Sequence, residues 1–251
     1  MYKVVALIKR KPGMSRADFM AYYEANHAPL ARKSFPQIVQ YRRNFIDLNG
    51  AIIMPGMEPP DFDSVTEIWY RDKEAYDEML STHFMAGVQE VIENDERNFL
   101  DQTMTRMIKV EQHGAKHADA ELIPSIGTPP GTGMFKVIAL LTAKAGLPRH
   151  EYIDYYEHHH SKLIWSLFPW IVEYRRNHID MEGAIIFANA KAPDFDTVTE
   201  LWFRNREDYQ RMLDAHETTD AGARIAADEE NCFDRSKTRF FVVEEAETPA
   251  S

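Results

Sequence analysis

FMAYYEANHAPL, residues 19–30, and YIDYYEHHHSKL, residues 152–163, are the two stretches from which the rest of the chain can be read. In the first, Phe19, Tyr22, Tyr23, Asn26, His27 and Leu30 fall at i, i+3, i+4, i+7, i+8 and i+11, one face of an α-helix. Tyr152, Tyr155, Tyr156, His159, His160 and Leu163 hold the same places in the second. Each copy thus predicts a helix whose buried stripe carries rings and ends in a histidine.

Working outward, residue n matches residue n+133 without a gap from Met1/Met134 to Glu111/Glu244, and 23 of the first 47 pairs are identical. A register held that long marks a duplicated domain, and each copy is domain-sized. Within a copy the pattern reads strand, helix, strand, strand, helix, strand. Residues 2–9 are β-rich and Gly13 breaks the run. Ser15, three residues before Asp18, resembles a capping box for the striped helix, and Pro148 stands in its place in the second copy. Phe35-Pro36 and Phe168-Pro169 end that helix. Alternation over 38–48 puts Val39, Tyr41, Arg43, Phe45 and Asp47 on one side, and alternation over 62–70 does the same for Val65, Glu67 and Trp69. Residues 73–97 are helical with an interruption near 81–83, and 103–111 close the copy as a strand.

The order βαββαβ is the ferredoxin-like arrangement, an α+β fold with helices on one face of an antiparallel sheet. One such sheet leaves its other face bare. The expected remedy is to pack the two copies sheet to sheet as a pseudo-dimeric α+β barrel. The expected boundaries are 1–112 and 134–245 for the copies, 113–133 for a linker and 246–251 for a tail.

The chain is 44% hydrophobic and 27% charged, with material for one or two cores. A net charge of −11 argues against nucleic acid or an anionic membrane as partner. The single cysteine, Cys232, excludes an intramolecular disulfide and fits a reducing cytoplasm. The apolar run near the N-terminus is too short for a signal core, so a cytoplasmic protein is expected. As for assembly, the expectation is a monomeric pseudo-dimer, with a further homodimer left open.

The motifs KVVALIKRKPG, YYEANHAPL, YRRN and DFDSVTEIWY, repeated as KVIALLTAKAG, YYEHHHSKL, YRRN and DFDTVTELWF, resemble the EthD-type branch of the dimeric α+β barrel superfamily. The resemblance covers both copies. It implies a cavity between sheet and helices, often with a histidine near its mouth. Relatives there include cofactor-independent monooxygenases, cyclases, decarboxylases, dehydratases, isomerases and haem-binding enzymes, so the fold does not choose a reaction.

His27 and His160 are the leading acid–base candidates, because an imidazole can take and return a proton near neutral pH. Tyr23 and Tyr156 beside them would orient a phenol or an enolate. The alternative is that each histidine caps a helix end or binds a backbone carbonyl. Glu67 and Glu200 lie between valine and tryptophan on a strand face, where a carboxylate is costly unless paired. The sequence offers two partners: Arg43 or Arg176 in a structural ion pair, or a helix histidine whose tautomer the carboxylate sets. Tyr22, Tyr155, Tyr41, Tyr174, Trp165, Trp69 and Trp202 are the candidate substrate-binding rings. Glu24-x-x-His27 and Glu157-x-x-His160 carry a spacing seen in carboxylate-bridged bundles, but those sites need further facing helices that this fold does not offer. Neither a metal nor a cofactor is expected.

The copies differ at Asn26/His159, Phe45/His178 and Arg32/Trp165. The second copy would gather His159, His160 and His178 about one cavity and is expected to be the catalytic one. The main reading is a cofactor-independent lyase or isomerase (decarboxylation, dehydration, cyclisation or isomerisation) acting on an apolar aromatic or polyketide-like compound. The alternatives are a cofactor-free monooxygenase of a phenolic substrate and a non-catalytic binding protein of a catabolic pathway.

Overall fold

A computed structural model describes residues 1–85, 87–116 and 134–248. In the first copy β1 (Tyr2–Ile8) is followed by α1 (Arg16–Tyr22), a π-helical turn (Tyr23–His27) and α2 (Ala28–Ser34). Then come β2 (Ile38–Ile53), β3 (Ser64–Tyr70), α3 (Lys73–His83), α4 (Val88–Glu96) and β4 (Arg106–Lys116). The second copy repeats this as β5 (Phe135–Leu141), α5 (Arg149–Tyr155), a π-helical turn (Tyr156–His160), α6 (Ser161–Leu167), β6 (Ile171–Ile186), β7 (Thr197–Phe203), α7 (Arg206–Thr218), α8 (Ala221–Glu229) and β8 (Arg239–Thr248).

The eight strands close into one barrel in the order β1-β3-β2-β8-β5-β7-β6-β4. Each copy brings four strands, and the copies are stitched edge to edge where β2 pairs with β8 and β4 with β6. Closure removes every sheet edge. It also carries β4 to Lys116 and β8 to Thr248, past the expected ends at 112 and 245, because each of these strands has a partner in the other copy. The rest of the expected linker, 117–133, and of the tail, 249–251, lies outside the described residues.

Both faces of the strands are covered, so β1 is buried from Lys3 to Ile8. Its odd residues Val5 and Leu7 join Val65, Ile108, Ile138, Leu140, Val198 and Phe241 inside the barrel. Its even residues Val4, Ala6 and Ile8 lie under the helices with Phe19, Tyr23, Tyr41 and Phe45. Ser15 caps α1, its Oγ accepting from the Asp18 amide at 3.1 Å, an interaction that stabilises a helix by about 1 kcal/mol. The second helical segment breaks after His83 and resumes at Val88, with Gly87 supplying a φ of 94° in the turn.

The striped helix departs from the expected spacing. The Ala28 amide donates to the Tyr23 carbonyl, five residues back, and the longer turn shifts the buried face to Phe19, Tyr23, His27, Ala28 and Ala31. Asn26 is therefore exposed, and His159 with it.

Candidate active site in the first copy

The π-helical turn buries His27, with its ring edge-on to Tyr23 and against Phe99. Its Nδ1 lies 2.8 Å from Asp95 Oδ2, a residue of α4. The Tyr22 hydroxyl donates to the other oxygen of that carboxylate at 2.9 Å, and Asn98 donates to Tyr22. Burial would push the Asp95 carboxyl up, but the His27 and Tyr22 hydrogen bonds outweigh it and hold it below the ordinary range. An ionised carboxylate only accepts, so Nδ1 carries the hydrogen and Nε2 is the nitrogen left to act as acceptor. Nε2 has no hydrogen-bond partner among the described residues.

His27 lines a cavity of about 390 Å³ between the helices and the outer face of the sheet. Its walls are mostly apolar, with Ile8, Ala31, Phe35, Ile68, Met79 and Met107 among them. The polar exceptions include Tyr41, Thr66 and Tyr70 on the sheet, Tyr23 on the π-helical turn, His83 at the end of α3, and Gln89, Glu93, Glu96 and Gln102 from the α4 side. Tyr23 shares hydrogen bonds with Tyr41 (2.9 Å) and Thr66 (3.2 Å), so those hydroxyls satisfy one another. Burial raises the pKa of Tyr23 and of Tyr41, which keeps both phenols protonated. Ile185 near the end of β6 and Phe187 and Ala188 just beyond it reach in, so the second copy supplies one wall of the first copy's cavity.

In the second copy His160 repeats the dyad, with Nδ1 2.7 Å from Asp228, and Tyr155 donates to the same aspartate. Several larger side chains stand around it. Ala31 is replaced by Ile164, Met107 by Phe240 and Arg32 by Trp165, whose ring sits 6.3 Å from Tyr174.

The expected gathering of three histidines in the second copy does not occur. His159 is turned to solvent and stacks on Tyr155. His178 is buried with both nitrogens engaged, Nδ1 at 2.9 Å from Thr197 and Nε2 at 2.9 Å from Glu157. It replaces Phe45 as a packing residue among Tyr152 and Tyr156, and Tyr156 bonds Thr199 and Tyr174.

Glu67 and Glu200 are not partners of the helix histidines. They point into the barrel, where Glu67 pairs with Lys3 and Lys136, and Lys136 lies 2.6 Å from Glu200. Nor does Glu67 meet Arg43. The residue opposite it on β2 is Arg42, while Arg43, one step along, faces the helices and binds Glu24. Arg176 binds Glu157 in the same way. Glu24 thus turns to Arg43 while His27 turns to Asp95, so the Glu-x-x-His spacing does not converge on a common point.

Trp69 and Trp202 also face the barrel interior, beneath the Lys3 and Lys136 ammonium groups. Of the candidate substrate-binding rings, Tyr41 lines the cavity; Tyr22 and Tyr155 hold the aspartates, and Tyr174 and Trp165 fill the second copy. Asp95, Asp228 and Tyr70 escaped the sequence reading. For the aspartates a signal existed: the α4 and α8 segments diverge, yet Asp95/Asp228 and Asn98/Asn231 are identical.

The family model described as "EthD domain" matches residues 11–103 and again 144–236. The chain belongs to the EthD family. Each EthD copy contains one histidine–aspartate dyad. No curated protein matches the chain. Among solved structures, a protein described as anthrone oxidase-like aligns over 100% of this chain and 96% of its own, with a TM-score of 0.60 and 10% identity. A putative monooxygenase from Lactobacillus acidophilus NCFM aligns over 100% and 96%, with a TM-score of 0.55 and 8% identity. One from Fusobacterium nucleatum aligns over 99% and 94%, with a TM-score of 0.54 and 7% identity. At such identities the likeness is one of fold. No helix among the described residues is long and apolar enough to cross a membrane.

Proposed function

We propose that this chain is a cofactor-independent oxygenase of a neutral, flat aromatic compound bearing a phenol or an enolisable ketone, working in the first-copy cavity. The observation that carries the reading is His27: Nδ1 held by Asp95, Nε2 unpartnered, in the wall of an apolar cavity. A volume of about 390 Å³ suits a small ligand. His27 takes a proton from the substrate through Nε2, and Asp95 steadies the imidazolium that results. The substrate anion adds dioxygen at carbon, and the peroxide takes the proton back from His27. Loss of water with the hydrogen that remains on that carbon (the second of a ketone's methylene, the sole one of a phenol's ring carbon) leaves a carbonyl. The four electrons that reduce dioxygen to one carbonyl oxygen and one water come from the substrate.

The cavity's charge narrows the substrate. Among the described residues its lining includes Glu93 and Glu96 but neither lysine nor arginine. A carboxylate or phosphate would meet no permanent cation among the described lining residues, only the histidines, and burial penalises a weakly compensated charge, which weighs against decarboxylation. Proton removal would serve a dehydratase or an isomerase equally well. The choice of oxygenase over those leans on the neighbours of the same fold, described as monooxygenases and as anthrone oxidase-like.

Anthrone, a tricyclic ketone with an acidic methylene, is a suitable probe. Wild-type protein should consume dioxygen with it, and His27→Ala should slow uptake by about 10²–10⁴-fold. Turnover that proceeds equally without oxygen would point back to the lyase or isomerase reading. Undiminished uptake by His27→Ala would remove the site from the first copy's dyad.

A further inference from the structure

Tyr70 ends β3 opposite Tyr2 on one side and Ile38 on the other, and its side chain faces the helices. It is fully buried, its ring edge-on to Tyr76, and it lines the cavity. The neighbouring hydroxyls of Tyr23, Tyr41 and Thr66 are spoken for, since Tyr23 bonds both of the others. The Tyr70 hydroxyl has no hydrogen-bond partner among the described residues. A buried polar group left in that state calls for a partner from outside the protein. The second copy has Phe203 at the equivalent place, so the hydroxyl belongs to the first copy alone.

Resting on the reading of the cavity given above, we infer that the Tyr70 hydroxyl is the donor that binds the substrate's oxygen and stabilises the negative charge that forms there when His27 removes the proton. The His27 imidazole Nε2 and the Tyr70 hydroxyl both lack a partner among the described residues, and they are complementary. Nε2 of His27 accepts. Tyr70 donates, and burial raises its pKa so that it stays protonated. A ligand satisfying both carries an oxygen acceptor and an acidic hydrogen on one flat apolar frame, as an enolisable aryl ketone or a phenol does. In an apolar enclosure a preset donor aimed at a developing oxyanion is worth far more than in water.

Anthrone and 9,10-dihydroanthracene share a ring system and differ in the ketone oxygen. Equilibrium dialysis of both against wild type and Tyr70→Phe tests the assignment, with oxygen uptake as the second readout. Wild type should bind the ketone better than the hydrocarbon. Tyr70→Phe should weaken anthrone binding about three- to tenfold, the worth of one neutral hydrogen bond, and leave the hydrocarbon and the melting temperature unchanged. Its kcat should fall by more than its affinity, because the bond strengthens as charge develops. Equal anthrone affinity and kcat in both proteins would overturn the role of Tyr70 and leave the cavity reading standing. A parallel loss of ketone and hydrocarbon would make Tyr70 a packing residue only. If wild type binds neither compound, the cavity reading fails and the inference falls with it.

Discussion

Asp95 Oδ2 lies 2.8 Å from His27 Nδ1, and 133 residues on Asp228 repeats the contact with His160 at 2.7 Å. A carboxylate fixed on one ring nitrogen decides which nitrogen is the base. Asp95→Asn should therefore keep the fold but lower kcat, by about tenfold or more, because the amide also supports the wrong tautomer. His27→Ala should cost about 10²–10⁴-fold, and His160→Ala far less, since the larger Ile164, Trp165 and Phe240 stand around it. Oxygen uptake with anthrone, with circular dichroism as the fold check, measures all three. An inactive His160→Ala beside an active His27→Ala would reverse the assignment of copies.

Glu67 is a structural group in the barrel interior. Burial opposes its charge, but Lys3, Lys136 and Arg42 outweigh burial and hold its pKa well below the usual 4.5. A carboxylate depressed by folding contributes its stability in full above pH 4.5 and loses it as pH falls toward the folded value. Glu67→Gln should cost about 3–5 kcal/mol at pH 7, as breaking a buried pair does, and its deficit should narrow in acid. Thermal melts at pH 7 and pH 4 read this directly. Below the melting transition kcat should hold, because Glu67 does not line the cavity.

Tyr70 and Phe203 occupy equivalent places with unequal surroundings. Tyr70→Phe deletes an unpartnered buried hydroxyl and should leave stability unchanged or slightly higher. Phe203→Tyr buries a hydroxyl in the copy with the larger side chains and should cost about 1–3 kcal/mol. Chemical denaturation of the pair would distinguish them, and equal costs would refute the difference in packing.

The fold was legible because its signals are long-range and redundant. The 133-residue register announces the duplication, and each bare sheet face requires the other copy. The site was less legible because it turns on single-residue shifts. The π-helical turns at Tyr23–His27 and Tyr156–His160 move the buried stripe to i+4 spacing, which exposes Asn26 in the first copy and His159 in the second. Strand alternation showed that Glu67 shares a face with Trp69, but not whether that face meets the helices or the barrel interior. Taking Arg43 instead of Arg42 as its partner was an error of one position, enough to cross the sheet. Asp95 comes from a segment dense in acids, and its identity with Asp228 is shared by the adjacent Glu96/Glu229 pair, so the repeat alone does not choose between the two carboxylates.

The interior charges show why the two copies need each other. Lys3 donates to Asn177 and Lys136 to Asn44, each at 2.6 Å, so each ammonium binds the other copy. Around them lie Arg42 and Arg175, and four carboxylates: Glu67, Glu200, Glu173 and Glu245. Four cations thus meet four carboxylates. Glu173 and Glu245 belong to the second copy, and the first has Gln40 and Gln112 in their places. A homodimer of residues 1–116 could repeat the strand pairing, β4 standing in for β8. It would nevertheless enclose two Lys3 and two Arg42 against only two Glu67. Uncompensated buried charge costs several kcal/mol, so this fragment alone should aggregate or stay unfolded. Co-expression with residues 134–251 should give a folded heterodimer. Gln112→Glu in the 1–116 fragment, which returns one carboxylate per chain, should rescue a homodimer. Light scattering and thermal melts of the three samples decide the matter: a 1–116 homodimer as stable as the full chain would show that the unequal charges of the copies play no part in pairing them.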